Sequence, residues 1–251
     1  MTGELVFTRV APPPFAAPVT RTGGRRDKLV MGRPIPAAAV EQYRKLAAAL
    51  HHAQVQHGTK VVMMASTLAG EGKTLTATNL ALTLSESYRR RVALIDADLR
   101  RPTVHDMFGL PNVSGLNDVL SAQGDAACEI FDGSPSLSVL TAGRPNPDPV
   151  SGLTSDRMRR LVAAASKEFE WVILDTPPVG LLPDAGLLGG MVDTVVLVIA
   201  AGRTQHRMIQ RTVEAIGRDR IFGVVLNRAA IDPLWGGYGS YYYQAYGSDR
   251  S

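Results

Sequence analysis

Between Ser66 and Leu75 the chain reads Ser-Thr-Leu-Ala-Gly-Glu-Gly-Lys-Thr-Leu. Small residues ending in Gly-Lys-Thr suit a polyphosphate, which needs backbone N–H groups brought close around it, a lysine reaching its outer phosphates and a hydroxyl for Mg²⁺. Lys73 and Thr74 take the last two roles, and Ala69, Gly70, Glu71, Gly72, Lys73, Thr74 and Leu75 make up the candidate cradle. The first glycine of the usual G-x-x-x-x-G-K-[ST] pattern is replaced by Thr67. Two further stretches supply acid groups. Leu94-Ile95-Asp96-Ala97-Asp98 ends an apolar run with two aspartates, and Val172-Ile173-Leu174-Asp175 ends another with one. Carboxylates beside a polyphosphate hold a divalent cation and accept a proton, so Lys73, Asp96, Asp98 and Asp175 are the candidate catalytic residues, with Thr74 and the three aspartates as metal ligands. One aspartate after a strand often caps a turn; three following a phosphate loop point to a site.

These groups need a scaffold that brings strand ends together. Thr59–Ser66 reads as a buried strand and Thr74–Tyr88 as the helix that closes the loop. Further apolar strands are expected after Arg91, at Leu137–Leu140, at Trp171–Asp175, at Thr194–Ile199 and at Phe222–Asn227, with helices at Ala37–Gln56, Gly115–Leu120, Asp156–Phe169 and Arg207–Ile216. Strands alternating with helices predict an α/β fold, a mostly parallel sheet flanked by helices on both faces. In such sheets ligands sit at the carboxyl ends of the strands, which is where Asp96, Asp98 and Asp175 fall.

The 251 residues, 45% of them hydrophobic, suit one domain with tails. The net charge of +4 arises within residues 1–34, where six cations face two acids, so the remainder is formally neutral and a broad nucleic-acid-binding face is not expected. Cys128 is the single cysteine and reads as a small buried hydrophobe; no multi-cysteine metal site is possible. No membrane span or signal segment is apparent, which predicts a cytoplasmic location. The organisation expected is a disordered basic, proline-rich leader over 1–35, a P-loop domain over 36–232 and a flexible tail over 233–251. That tail holds five of the seven tyrosines: Tyr238, Tyr241, Tyr242, Tyr243 and Tyr246.

From Ala65 through Thr74, from Leu94 through Pro102 and from Val172 through Pro178, the chain resembles the Walker A, A′ and B motifs of the bacterial tyrosine kinases of exopolysaccharide and capsule synthesis. These kinases belong to the wider MinD/ParA-like class of P-loop ATPases of the same α/β fold. The tyrosine-rich end resembles their autophosphorylated cluster, and the likeness spans about residues 37–251. It implies ATP and Mg²⁺ as cofactors, Asp98 and Asp175 as metal ligands, Asp96 as acceptor of the tyrosine proton, Asn227 as an adenine contact and the five tail tyrosines as phospho-acceptors. It also implies self-association and a membrane polysaccharide co-polymerase whose cytoplasmic tail activates the kinase, with membrane contact only through that partner. Three departures stand out: Ala69 where the family commonly has Pro, Ala47 where its ring-contact motif Glu-x-x-Arg-x-x-Arg has the second Arg, and Leu68 where MinD/ParA members carry a signature lysine. The alternative is a MinD/ParA-like regulatory ATPase without tyrosine kinase activity, which Leu68 and the tail oppose.

Overall fold

A run of apolar residues has no polar face to give to water, so the strand it forms must be covered on both sides. Val61–Ser66 (β2), Val92–Asp96 (β3) and Trp171–Asp175 (β6) are buried at every residue, and Thr194–Ala200 (β7) at all but the first. Leu5–Val10 (β1), Ala126–Ser134 (β4), Leu137–Leu140 (β5) and Ile221–Asn227 (β8) complete one eight-stranded sheet in the order β1-β4-β5-β3-β6-β2-β7-β8. Every pairing is parallel except that of β4 with β5. The computed structural model describes residues 5–10, 29–30, 36–146, 149–181 and 185–229.

Successive side chains of a strand point to opposite faces, so one strand feeds two cores. Val62 and Met64 of β2, with Leu94, Ile173 and Val198, meet Ala37–His57 (α1), Lys73–Glu86 (α2) and Val104–Phe108 (α3) through Leu50, Leu80, Leu84 and Val104. Met63 and Ala65, with Ile95, Leu174 and Leu197, form the other core. It is covered by Leu116–Ser121 (α4), Val150–Leu153 (α5), Asp156–Glu168 (α6), Ala185–Gly189 (α7) and His206–Ile216 (α8). The expected sheet with helices on both faces is what forms. Among the described residues no helix is long and apolar enough to cross a membrane.

The leader expected over 1–35 needs correction in two places. β1 lies in the sheet, parallel to β4 from Leu5↔Ala126 to Val10↔Phe131, because Leu5 and Phe7 pack against the second core and the Phe7 ring meets Phe169 edge-on at 5.9 Å. Leu29 is buried in the first core, and the Val30 N–H donates to Asn79 Oδ1 of α2 at 2.9 Å. The other leader residues and all five tail tyrosines lie outside the described residues, as does the boundary at 232/233.

Two smaller expectations have a physical explanation. Cys128 on β4 is fully buried, and burial pushes its thiol up to about 12, so it behaves as a hydrophobe rather than a nucleophile. Ala47 of α1 is also fully buried, one turn beyond an exposed Glu41–Arg44 pair 3.8 Å apart. A long side chain in that place would have to enter the core or displace it.

Candidate functional site

The strand order decides which carboxylates meet. β3 and β6 are neighbours with Asp96 directly opposite Asp175, and β2 lies on the other side of β6 and leads straight into the phosphate loop. Loop and acids thus share the carboxyl end of three adjacent strands. The loop closes through Gly70 and Gly72, whose φ values of +80° and +94° favour glycine, and Gly72 caps α2. A Cβ on Gly72 would stand 1.9 Å from Asn227 Nδ2, so the Asn227 side chain that reaches the loop would have to move aside for any larger residue there. Among the described residues no side chain caps the first turn of α2, and that turn carries no acid; its N–H groups are what a helix offers an anion.

Lys73, the first residue of α2, is buried and forms an ion pair with Asp175 Oδ1, while the Thr74 hydroxyl donates to Asp175 Oδ2 at 2.6 Å. Thr103 donates to the Thr74 hydroxyl at 3.1 Å. Asp96 is fully buried and held by main chain: Oδ1 accepts from the Asp98 N–H at 3.1 Å, and Oδ2 from those of Thr103 at 3.1 Å and Val104 at 3.0 Å. Asp98 is partly exposed and accepts from the Arg101 N–H at 3.1 Å, which folds the Arg100-Arg101-Pro102 turn back on itself. Burial, then repulsion from Asp175, raises the Asp96 carboxyl to about 8, against the opposing effects of the Val104 N–H and Lys73. Burial also raises Asp98, with Lys73 opposing. Carboxyl groups raised by burial within one cluster of like charges mark functional sites.

Lys73, Thr74, Asp96, Asp98 and Asp175 therefore come together, with Ala69 and Gly70 exposed at the rim of the loop and Leu75 in the first turn of α2. Two candidates are placed differently from a simple ligand shell. The buried Glu71 carboxylate turns away toward β7, and Asn227 Nδ2 donates to the Glu71 carbonyl at 2.7 Å. Thr103, Thr204 and Arg228 are neighbours of the site that the sequence reading passed over; the Pro102-Thr103 pair following the first acidic stretch was the one available signal. The 460 Å³ cavity lined by Lys60, Val61, Arg159, Val162 and Asp193 lies at the opposite end of the sheet.

The donor set fits Mg²⁺: a hydroxyl and carboxylates are the hard oxygen ligands it prefers. Among the described residues no group of three or more His, Cys, Asp and Glu side chains is arranged to hold a metal ion by itself.

The CobQ/CobB/MinD/ParA nucleotide binding domain family matches residues 62–233. Tyrosine-protein kinase YwqD of Bacillus subtilis (strain 168) is 36% identical over 209 residues, 82% of this chain and 88% of YwqD. Tyrosine-protein kinase wzc of Salmonella typhi is 31% identical over 86% of this chain, which spans only 31% of that longer protein. The solved kinase domain of Escherichia coli tyrosine kinase ETK superposes with a TM-score of 0.68 at 30% identity, covering 77% of this chain and 78% of that one. This chain therefore belongs to the CobQ/CobB/MinD/ParA nucleotide-binding family and, within it, to the bacterial tyrosine-protein kinases.

Proposed function

We propose that this kinase is an ATP-dependent autokinase that modifies its own tyrosine cluster, Tyr238, Tyr241, Tyr242, Tyr243 and Tyr246, mainly on a neighbouring subunit. The observation that carries the reading is the convergence of Lys73, Thr74 and Asp175 beside a buried Asp96 at the mouth of a helix whose first turn no side chain caps. ATP is the phosphate donor, its outer phosphates taken by Lys73 and the loop N–H groups, with Asn227 nearest the base. The tyrosine oxygen forms a bond to the γ-phosphorus as the bond from that phosphorus to the β–γ bridging oxygen breaks, and ADP leaves. A tyrosine hydroxyl has a pKa of about 10 and is a weak nucleophile at neutral pH, so its proton passes to the Asp96 carboxylate. Three main-chain donors fix the orientation of that carboxylate. Thr74, Asp98 and Asp175, with Asp96 behind them, would hold Mg²⁺, which would neutralise the charge developing on the phosphate oxygens.

Each phosphate adds about −1.5 to −2 charge at neutral pH, enough to disfavour return of the tail to a site already lined by carboxylates. Phosphorylation thereby switches self-association. The cellular role that follows is control of exopolysaccharide or capsular polysaccharide synthesis and export. A membrane co-polymerase supplies the activating cytoplasmic tail and brings an otherwise cytoplasmic protein to the membrane's inner face. The test is peptide mapping of phosphate after incubation with Mg-ATP, for wild type and for a chain ending before Tyr238. Phosphate confined to Tyr238–Tyr246 and lost on truncation is expected; phosphate elsewhere, unaffected by truncation, overturns the assignment of the acceptor.

A further inference from the structure

Glu71 sits in the middle of the phosphate loop, yet its carboxylate is only 3% exposed as a residue and is committed to the protein. Oε2 accepts the Leu68 N–H at 2.7 Å, across the base of the loop. Oε1 accepts the Ala200 N–H at 3.2 Å and the Thr204 hydroxyl, from the end of β7 and the turn that follows it. Around it the loop is held by its carbonyls as well: that of Glu71 accepts Asn227 Nδ2 at 2.7 Å and that of Gly70 accepts Arg228 Nη2 at 2.8 Å. Arg228 makes this bond from a left-handed backbone, φ +59°, just past β8. The Asn227 carbonyl in turn accepts the Ala201 N–H at 2.8 Å, joining the ends of β7 and β8.

A buried carboxylate is expensive unless paired, and among the described residues no cation pairs with this one; three donors carry its charge instead. Glutamine has the same shape but only one accepting oxygen, so it cannot serve Leu68 on one side and Ala200 with Thr204 on the other. We propose that Glu71 is a positioning residue for the nucleotide, clamping the loop to the ends of β7 and β8 in the form that receives phosphates. Through Thr204 the clamp makes the exposed 201–205 turn part of the nucleotide-binding machinery although that turn lies outside the loop. A partner that moved the turn would alter nucleotide affinity without touching the nucleotide.

This inference rests on the loop binding nucleotide, and the test separates the two. ADP affinity and the thermal midpoint without nucleotide are measured on the full chain for wild type, Glu71→Gln, Thr204→Val and the double variant. Charge-assisted hydrogen bonds of this kind correspond to roughly ten-fold or more in affinity, so Glu71→Gln weakens ADP by about that factor. Thr204→Val weakens it by a smaller factor, and in the double variant the two losses are not additive, because both substitutions act on the bonds of one side chain. Thr204→Val leaves the loop sequence intact, so it decides the matter even where Glu71→Gln fails to fold. Unchanged ADP affinity in folded Glu71→Gln or Thr204→Val, with only the midpoint lowered, makes Glu71 merely structural and overturns the proposal. A wild type that binds no ADP overturns the nucleotide reading itself.

Discussion

Both ends of the sheet carry carboxylates that accept main-chain hydrogen bonds, and the two ends use them differently. At the amino end Asp193 Oδ2 accepts the Lys60 and Val61 N–H groups at 2.7 and 2.8 Å, pinning the start of β2. Glu170 accepts the Arg91 N–H at 3.0 Å and an Arg90 guanidinium at 2.8 Å, and these bonds hold its carboxyl below the usual range. Both groups reach solvent, and the Glu170 shift shows an ionised form favoured by its partners. At the carboxyl end Asp96 and Asp175 are fully buried side by side, and Asp96 and Asp98 are raised. The same kind of group thus secures the fold at one end and is kept at an energetic disadvantage at the other, the mark of a functional site. The 460 Å³ cavity lies at the amino end, without such a cluster, so acid chemistry rather than hollow volume identifies the site.

The largest effect expected is on chemistry. Lys73→Met removes the cation beside Asp175 and the contact to the outer phosphates, and phosphate transfer falls by about a thousand-fold or more, read as the initial rate of labelling from Mg-ATP. Next comes Gly72→Ala, which combines a left-handed φ with a Cβ 1.9 Å from Asn227 Nδ2 and lowers stability by roughly 2 kcal/mol or more in a denaturant titration. Adding Asn227→Ala removes the clash but not the strained φ, so the double variant recovers part of the loss. A Gly72→Ala protein as stable as wild type would mean that β8 does not press on the loop as described.

At the amino end the expectation is reversed. Asp193→Ala strips two main-chain bonds from an exposed carboxylate, lowers stability by about 1 kcal/mol and leaves the transfer rate unchanged. The smallest effect is that of Glu170→Gln. Because the folded-state pKa of Glu170 is lowered, its stabilisation is present above the unfolded-state value and is lost as pH falls through the folded one. The difference in thermal midpoint between wild type and Glu170→Gln is therefore largest near neutral pH and disappears in acid. A difference that grew on acidification would contradict the cause assigned to the shift.

The strand–loop–helix unit and the aspartate-ended strands were legible because each is a local pattern: a fully apolar run, then glycines or an acid. That Asp96 faces Asp175 was not local, since it depends on β3 and β6 being neighbours, but the expectation of a parallel sheet was enough to put both at one end. β4 escaped because Glu129 and Asp132 interrupt it; Cys128 and Ile130 face one core and Phe131 the other. β1 escaped because Leu5 and Phe7 are set in a basic, proline-rich stretch whose average polarity hides a six-residue strand. The Glu71 clamp had no sequence signal, its partners Ala200 and Thr204 lying 129 and 133 residues away across two strand ends. Its glutamate reads as one more residue of a phosphate loop.

The most direct test of a tyrosine kinase whose chemistry sits at the carboxyl end is the transfer of labelled γ-phosphate from Mg-ATP into wild type, Lys73→Met and Asp193→Ala, followed side by side with ADP release. Wild type and Asp193→Ala should incorporate phosphate on tyrosine at equal rates while Lys73→Met incorporates none. ADP released by wild type with no label in the protein, or labelling of Lys73→Met at the wild-type rate, would contradict it.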